Sequence, residues 1–145
     1  MATNAILDSS VVVALVTPEK NSDWSNSALL NHQYLHELDL SFYEVANSIR
    51  YKVSEKFDSR DAAVALRRAE EIMNLTTIHC FSEVLAEAFT KAFELKIAVY
   101  DAAFLSLAVK LDAKLLTLDQ KFAKKLEGTK YFSLIEYPNK KNIQT

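Results

Sequence analysis

Glycine is almost missing from this chain of 145 residues, with Gly128 alone. Dinucleotide fingerprints and phosphate-cradling loops need several glycines to bring backbone amides close to a phosphate, so both are excluded. Whatever is bound here must be held by side chains or by a metal ion. Cysteine is as scarce: Cys80 by itself rules out an internal disulfide and any multi-cysteine zinc site, and beside His79 it is expected to be a small core residue. No apolar run approaches the roughly 20 residues of a membrane-spanning helix, and Met1 to Asn4 lead into a strand without a basic region or a signal-like core. The expectation is a cytoplasmic protein with no membrane contact. A G-x-S-x-G elbow is absent, which removes the usual presentation of a nucleophilic serine. His32 and His36 stand four apart, but no H-E-x-x-H surrounds them. An excess of either charge is missing too: 17 Lys and Arg face 19 Asp and Glu, for a net charge of -2. Nucleic acid would therefore have to be met by a local basic patch or by bound cations.

What is present is an ordinary folding composition, 50% hydrophobic and 25% charged, with no internal repeat, low-complexity block or long linker. That fits one domain over residues 1–137, followed by a tail over 138–145 expected to be disordered. Ala5-Ile6-Leu7-Asp8 reads as a buried strand and Ser9 to Val16 as a helix stopped near Pro18, with Ser9 and Ser10 as cap types. The β-branched Val11 to Val13 argue for a longer strand instead; the serines favour the helix. Ser22 to Leu30 reads as a helix and Tyr34 to Leu40 as a short strand. Helix resumes at Ser41, where Ser41 and Glu44 have capping-box spacing, and again after Asp58 or Ser59, with Ala62, Leu66, Ala69 and Met73 as one inward stripe. Thr76 to Cys80 reads as a strand, Ser82 to Leu95 as a helix, Asp101 to Leu111 as a helix apolar almost all round, Leu115 to Leu118 as a strand, Gln120 to Glu127 as a helix closed by Gly128, and Tyr131 to Ile135 as a last strand. About five short strands alternating with about seven helices imply an α/β fold: three layers, α/β/α, around a short-stranded, mainly parallel sheet.

Four acids fall at recurring places in that pattern. Asp8 ends the first strand, Glu44 begins the helix after the second, Asp101 opens the apolar helix, and Asp119 follows the strand Leu115 to Leu118. Singly, each is better explained as a helix cap. Together they would share the carboxyl edge of one parallel sheet, where ligands of open α/β folds bind, and their mutual repulsion would call for a cation. Oxygen-only donors suit Mg²⁺ or Mn²⁺. Ser9, Ser10, Asn47 and Thr117 lie within three positions of an acid and could orient carboxylates or bound water, although capping explains Ser9 better. Lys121, Lys124 and Lys125 follow Asp119 and could meet phosphate, while a solvated helix face is the plainer reading.

The set Ile6-Leu7-Asp8-Ser9-Ser10, Tyr43-Glu44-Val45-Ala46-Asn47, Tyr100-Asp101-Ala102 and Leu116-Thr117-Leu118-Asp119 with Phe122 resembles, in order and over about Ala5 to Ile135, the acidic motifs of PIN-domain ribonucleases, and most of all the toxins of VapC-type toxin–antitoxin pairs. The resemblance implies a metal-dependent endoribonuclease for single-stranded RNA, with Asp8, Glu44, Asp101 and Asp119 as catalytic, metal-binding acids and Ser10, Asn47 and Thr117 in support. It also implies a homodimer and an antitoxin partner, whose arginine could pair with the acids. Where the family sometimes adds a carboxylate just past the last acid, Gln120 and Lys121 stand here, which leaves a second metal open. Tyr43, Tyr51 and Phe57 are more aromatic surface than one small core needs, and either complete that core or form the dimer face. Three rivals stand beside this reading. A phospho-acceptor module would want an acidic pair after the first strand, and a dehalogenase-type phosphatase a D-x-D where Asp8-Ser9-Ser10 stands. A catalytically idle protein-binding domain would not depend on metal.

Overall fold

Short apolar runs alternating with helices close into one five-stranded sheet in the order β3-β2-β1-β4-β5, every pairing parallel. The computed structural model describes residues 3–139. The central strand, β1 (Asn4–Leu7), is Asn-Ala-Ile-Leu, and Ala5, Ile6 and Leu7 are wholly buried. A parallel strand is covered on both faces, so a continuous apolar run, rather than an alternating one, is what its position demands. β2 (Tyr34–Leu38) and β4 (Lys114–Leu116) flank it, with Ile6 opposite His36 on one side and Leu115 on the other.

Helices cover both faces, as a three-layer α/β/α fold requires. On one side, α1 (Ser9–Val16), α2 (Ser22–Leu30), α3 (Ser41–Tyr51) and α4 (Ser59–Asn74) pack around Val11, Val12, Val45, Ile49 and Met73. On the other, α5 (Leu85–Leu95), α6 (Val99–Leu111) and α7 (Gln120–Lys125) enclose Phe104, Leu105, Leu107 and Leu126. The seven consecutive residues Ala102 to Ala108 of α6 are all buried, between α5 and the strands β1 and β4. That accounts for its lack of a polar face. With so little glycine, α5 and α6 end on left-handed Lys96 (φ 56) and Asp112 (φ 49), a conformation that costs L-residues about 1–2 kcal/mol.

The structure amends several expectations. The helix expected over Ser82 to Leu95 starts only at Leu85, because a 3-10 turn, Phe81–Glu83, intervenes, held by the Phe81 amide donating to the Asp39 carboxylate. The last strand is reduced to β5 (Ile135–Glu136) behind a 3-10 turn at Phe132–Leu134. On α4 the buried stripe is Ala65, Ala69 and Met73, facing α1 and α3; Leu66 is exposed, since it lies one position round the helix from that stripe. Cys80 is exposed, not in the core, because it follows β3 (Thr77–His79), the sheet's edge. Of the tail expected from residue 138, Pro138 is buried and its carbonyl accepts from the Gln120 amide, while residues 140–145 lie outside the described residues.

Candidate active site

Strand order reverses beside β1: the chain runs outward through β2 and β3, then returns to lay β4 on the other side. Crevices outside the carboxyl ends of strands form at such switch points. Asp8 leaves β1 there, and Asp119 follows β4.

Asp8 is fixed from three directions. Its amide donates to the Leu116 carbonyl at 3.0 Å, while the Thr117 and Ser10 hydroxyls donate to its Oδ2 at 2.7 and 2.9 Å and Ser9 Oγ donates to Oδ1 at 3.3 Å. The two hydroxyls are themselves oriented, Ser10 Oγ by the Leu118 amide and Thr117 Oγ1 by the Asp119 amide, each at 3.1 Å. Loop 117–119 and the start of α1 are thus stitched together through one carboxylate.

The capping explanations largely fail. Asp8 stands at the N-cap of α1 without a capping hydrogen bond to its second or third residue, although the Ser9 backbone acts on its carboxyl, and Asp101 is the third residue of α6, whose N-cap is Ala98. Ser41 and Glu44 form no capping box: Leu40 holds the cap position, the Ser41 hydroxyl is buried, and Glu44 turns toward the other acids. Only Asp119 caps, accepting the Phe122 amide at 3.0 Å. Ser9, for which capping was the better expectation, is instead buried between Asp8 and Glu44.

Electrostatics join the four acids. Burial, opposed by the Thr117 and Ser10 hydrogen bonds, raises the Asp8 carboxyl, and the charge of Asp119 raises it further. Burial, then the charges of Asp8 and Asp101, push Glu44 up to about 7. Burial, then Asp8 and Asp119, push Asp101 to about 6, with Lys125 pulling the other way. Glu44 Oε1 is buried with no hydrogen-bond partner. Among the described residues, no three His, Cys, Asp or Glu side chains already stand in a group that could hold a metal ion. Repulsion between uncompensated carboxylates is the physical reason to expect such spreading.

Comparison with known proteins decides the family. The PIN-domain model matches residues 5–126, a stretch holding all four acids. Ribonuclease VapC3 of Pyrobaculum aerophilum is 37% identical over 121 residues, 83% of this chain and 92% of the relative. The chain belongs to the PIN-domain family. Solved structures agree on the fold: a toxin–antitoxin complex from Klebsiella pneumoniae superposes with a TM-score of 0.68 at 16% identity, covering 93% of this chain and 98% of the other. VapC20 of Mycobacterium tuberculosis, a sarcin-ricin loop cleaving toxin, gives 0.65 at 12% identity over 83% and 93%.

Not every residue singled out in the sequence reaches the crevice of this PIN domain. Asn47 is exposed one turn beyond Glu44, and among the described residues no hydrogen bond ties it to an acid. Lys121, Lys124 and Lys125 are exposed, and the charge of Lys125 reaches Asp101. Conversely, sequence reasoning missed Glu37. This β2 residue is wholly buried, and its charge acts on Asp8 and Glu44. The signal depends on strand pairing: an acid inside a parallel strand flanked on both sides has no solvent face to occupy, and that flanking is a tertiary fact.

Proposed function

We propose that this PIN domain, one domain through residue 137, is an endoribonuclease that hydrolyses single-stranded RNA with Mg²⁺ or Mn²⁺, acting in the cytoplasm as the toxin of a toxin–antitoxin pair. The observation that carries the metal reading is the unpaired, buried oxygen of Glu44 beside Asp8 and Asp101, two carboxyls that burial and the charges of neighbouring acids already push upward. Buried like charges are costly without an opposite one. Asp8, Glu44, Asp101 and Asp119 would hold the ion, all through oxygen, as a hard divalent cation prefers. When bound, such an ion supplies charge neutralisation at a phosphate and a more acidic water. Ser10 and Thr117 fix the Asp8 carboxylate, and Asn47, exposed one turn beyond Glu44, would act only on bound substrate. Lys125, whose charge reaches Asp101, would meet a phosphate backbone together with exposed Lys121 and Lys124.

The ribonuclease name of the Pyrobaculum relative supports the reaction, and the Klebsiella complex supports an antitoxin partner. An antitoxin arginine could enter the acidic crevice and pair with two carboxylate oxygens at once. A homodimer would use either exposed Tyr43 and Tyr51 of α3 or, on the other face of the sheet, the row Phe81, Leu85, Phe89 and Phe93, four residues apart and all more than half exposed, whereas Phe57 is partly buried against the core. Light scattering should give the mass of two chains at micromolar concentration, and Tyr51→Glu or Phe89→Glu should lower it. The reaction is tested on total RNA with Mn²⁺, with EDTA, and with Asp101→Asn. Cleavage that survives chelation or the substitution refutes the mechanism.

A further inference from the structure

Glu37 is the least explicable residue in the molecule unless it has a cation nearby. Its side chain has no solvent exposure, and neither carboxyl oxygen has a hydrogen-bond partner. Its neighbour in β2, Leu35, packs on the α1–α4 side, and alternation along a strand puts Glu37 on that side too, beneath the first turn of α3. The Ser41 hydroxyl of that turn influences Glu37 but closes no hydrogen bond with it, and is itself buried without a partner. The charges that act on Glu37 are Asp8 and Glu44, both negative. Burial is the largest influence, raising the carboxyl well above its usual range. Nothing described around it offers a positive charge. A stranded carboxyl of this kind costs several kcal/mol against a well-packed apolar side chain.

We propose that Glu37 is a fifth acid of the divalent-cation site, an inner positioning residue behind Asp8 and Glu44 whose buried, unpartnered carboxyl finds its partner in the field of the bound ion. The inference rests on the metal reading above. It assigns the burial of Glu37 to binding instead of folding: the metal-free protein bears the cost, and the ion relieves it. Outer groups that orient or charge-balance metal ligands typically change affinity about 10–100-fold when removed.

The test is Mn²⁺ binding by calorimetry, paired with melting curves in EDTA and in saturating Mn²⁺. Glu37→Gln keeps the shape and cannot ionise; Glu37→Leu removes polarity altogether. Both variants should melt higher than the wild type in EDTA, bind Mn²⁺ about 10-fold or more weakly, and gain less from it in melting temperature. Mn²⁺ affinity equal to wild type in both variants overturns the role of Glu37 while leaving the metal site intact. If wild type itself takes up no Mn²⁺, both this inference and the metal reading fall. If Glu37→Gln does not fold, Glu37→Leu, which needs no hydrogen bond, decides by the same affinity comparison. Failure of both to fold overturns the proposal, because Glu37 is then required for folding.

Discussion

Two polar clusters lie within this small sheet, and they are finished in opposite ways. At the β2–β3 edge, Asn4 Oδ1, His36, His79 and Glu83 form an unbroken chain: Asn4 to His36 Nε2 at 2.9 Å, His36 Nδ1 to His79 Nε2 at 2.9 Å, and His79 Nδ1 to Glu83 Oε2 at 2.8 Å, with Lys110 3.8 Å from that carboxylate. Burial, then the neighbouring charge of His79, lowers His36. Each ring nitrogen has a partner, and the Glu83 carboxylate has Lys110 beside it. At the strand-end crevice, by contrast, Glu37 and Glu44 keep buried oxygens with no partner, and like charges face each other. A polar cluster that serves folding satisfies itself; one that serves a ligand leaves its valences open.

That contrast can be broken most directly by exchange of charge for amide. Asp101→Asn should lower RNA cleavage by at least about 100-fold, the scale on which loss of one charge-stabilising group acts, while circular dichroism and melting stay native. A melting temperature that falls together with activity would mean that the crevice, too, is structural. His36→Leu should do the reverse. Leaving His79 and Asn4 without their buried partner costs about 1–3 kcal/mol in chemical denaturation, with cleavage per folded molecule unchanged. A large loss of cleavage at full stability would merge the two clusters into one functional unit.

Acidity separates them next. Asp101 rises from 3.8 to about 6 and Glu44 from 4.5 to about 7 on folding, so between these values the folded chain holds more protons than the unfolded one. Stability therefore falls as pH rises from about 4 to about 7, by an amount on the order of 1–2 kcal/mol once screening of these half-exposed groups is allowed for. Melting temperature in EDTA should decline across that range, and saturating Mn²⁺ at pH 7.5 should restore it. A flat profile in EDTA would show the acids to be compensated already. The smallest effect belongs to a carboxylate whose hydrogen bonds are closed, like the histidines'. Asp58 accepts the Arg60 and Asp61 amides at 2.9 Å in a reciprocal capping box, and Asp58→Ala should cost about 1 kcal/mol in denaturant without touching cleavage.

Periodicity made the layered fold legible, because a buried parallel strand and a two-sided helix each leave an apolar signature independent of their partners. Ala5 to Leu7 and Ala102 to Ala108 are buried where their patterns require it. The positions of Asp8 and Asp119 at strand ends were legible for the same reason. Local rules failed where a residue had two competing partners. Ser41 and Glu44 fit a capping box by spacing, yet the helix entry turns both inward, and the strand expected at Tyr131 became a 3-10 turn. Glu37 looks like any solvated acid until β1 and β3 are known to pair on either side of β2. The order of apolar runs determined that strands and helices would alternate and that acids would follow strands. Only the tertiary structure decided which strands are neighbours, and with it which charges meet. Pairing is set by packing between segments far apart in the chain, and the Coulomb interaction depends on that distance, not on sequence separation.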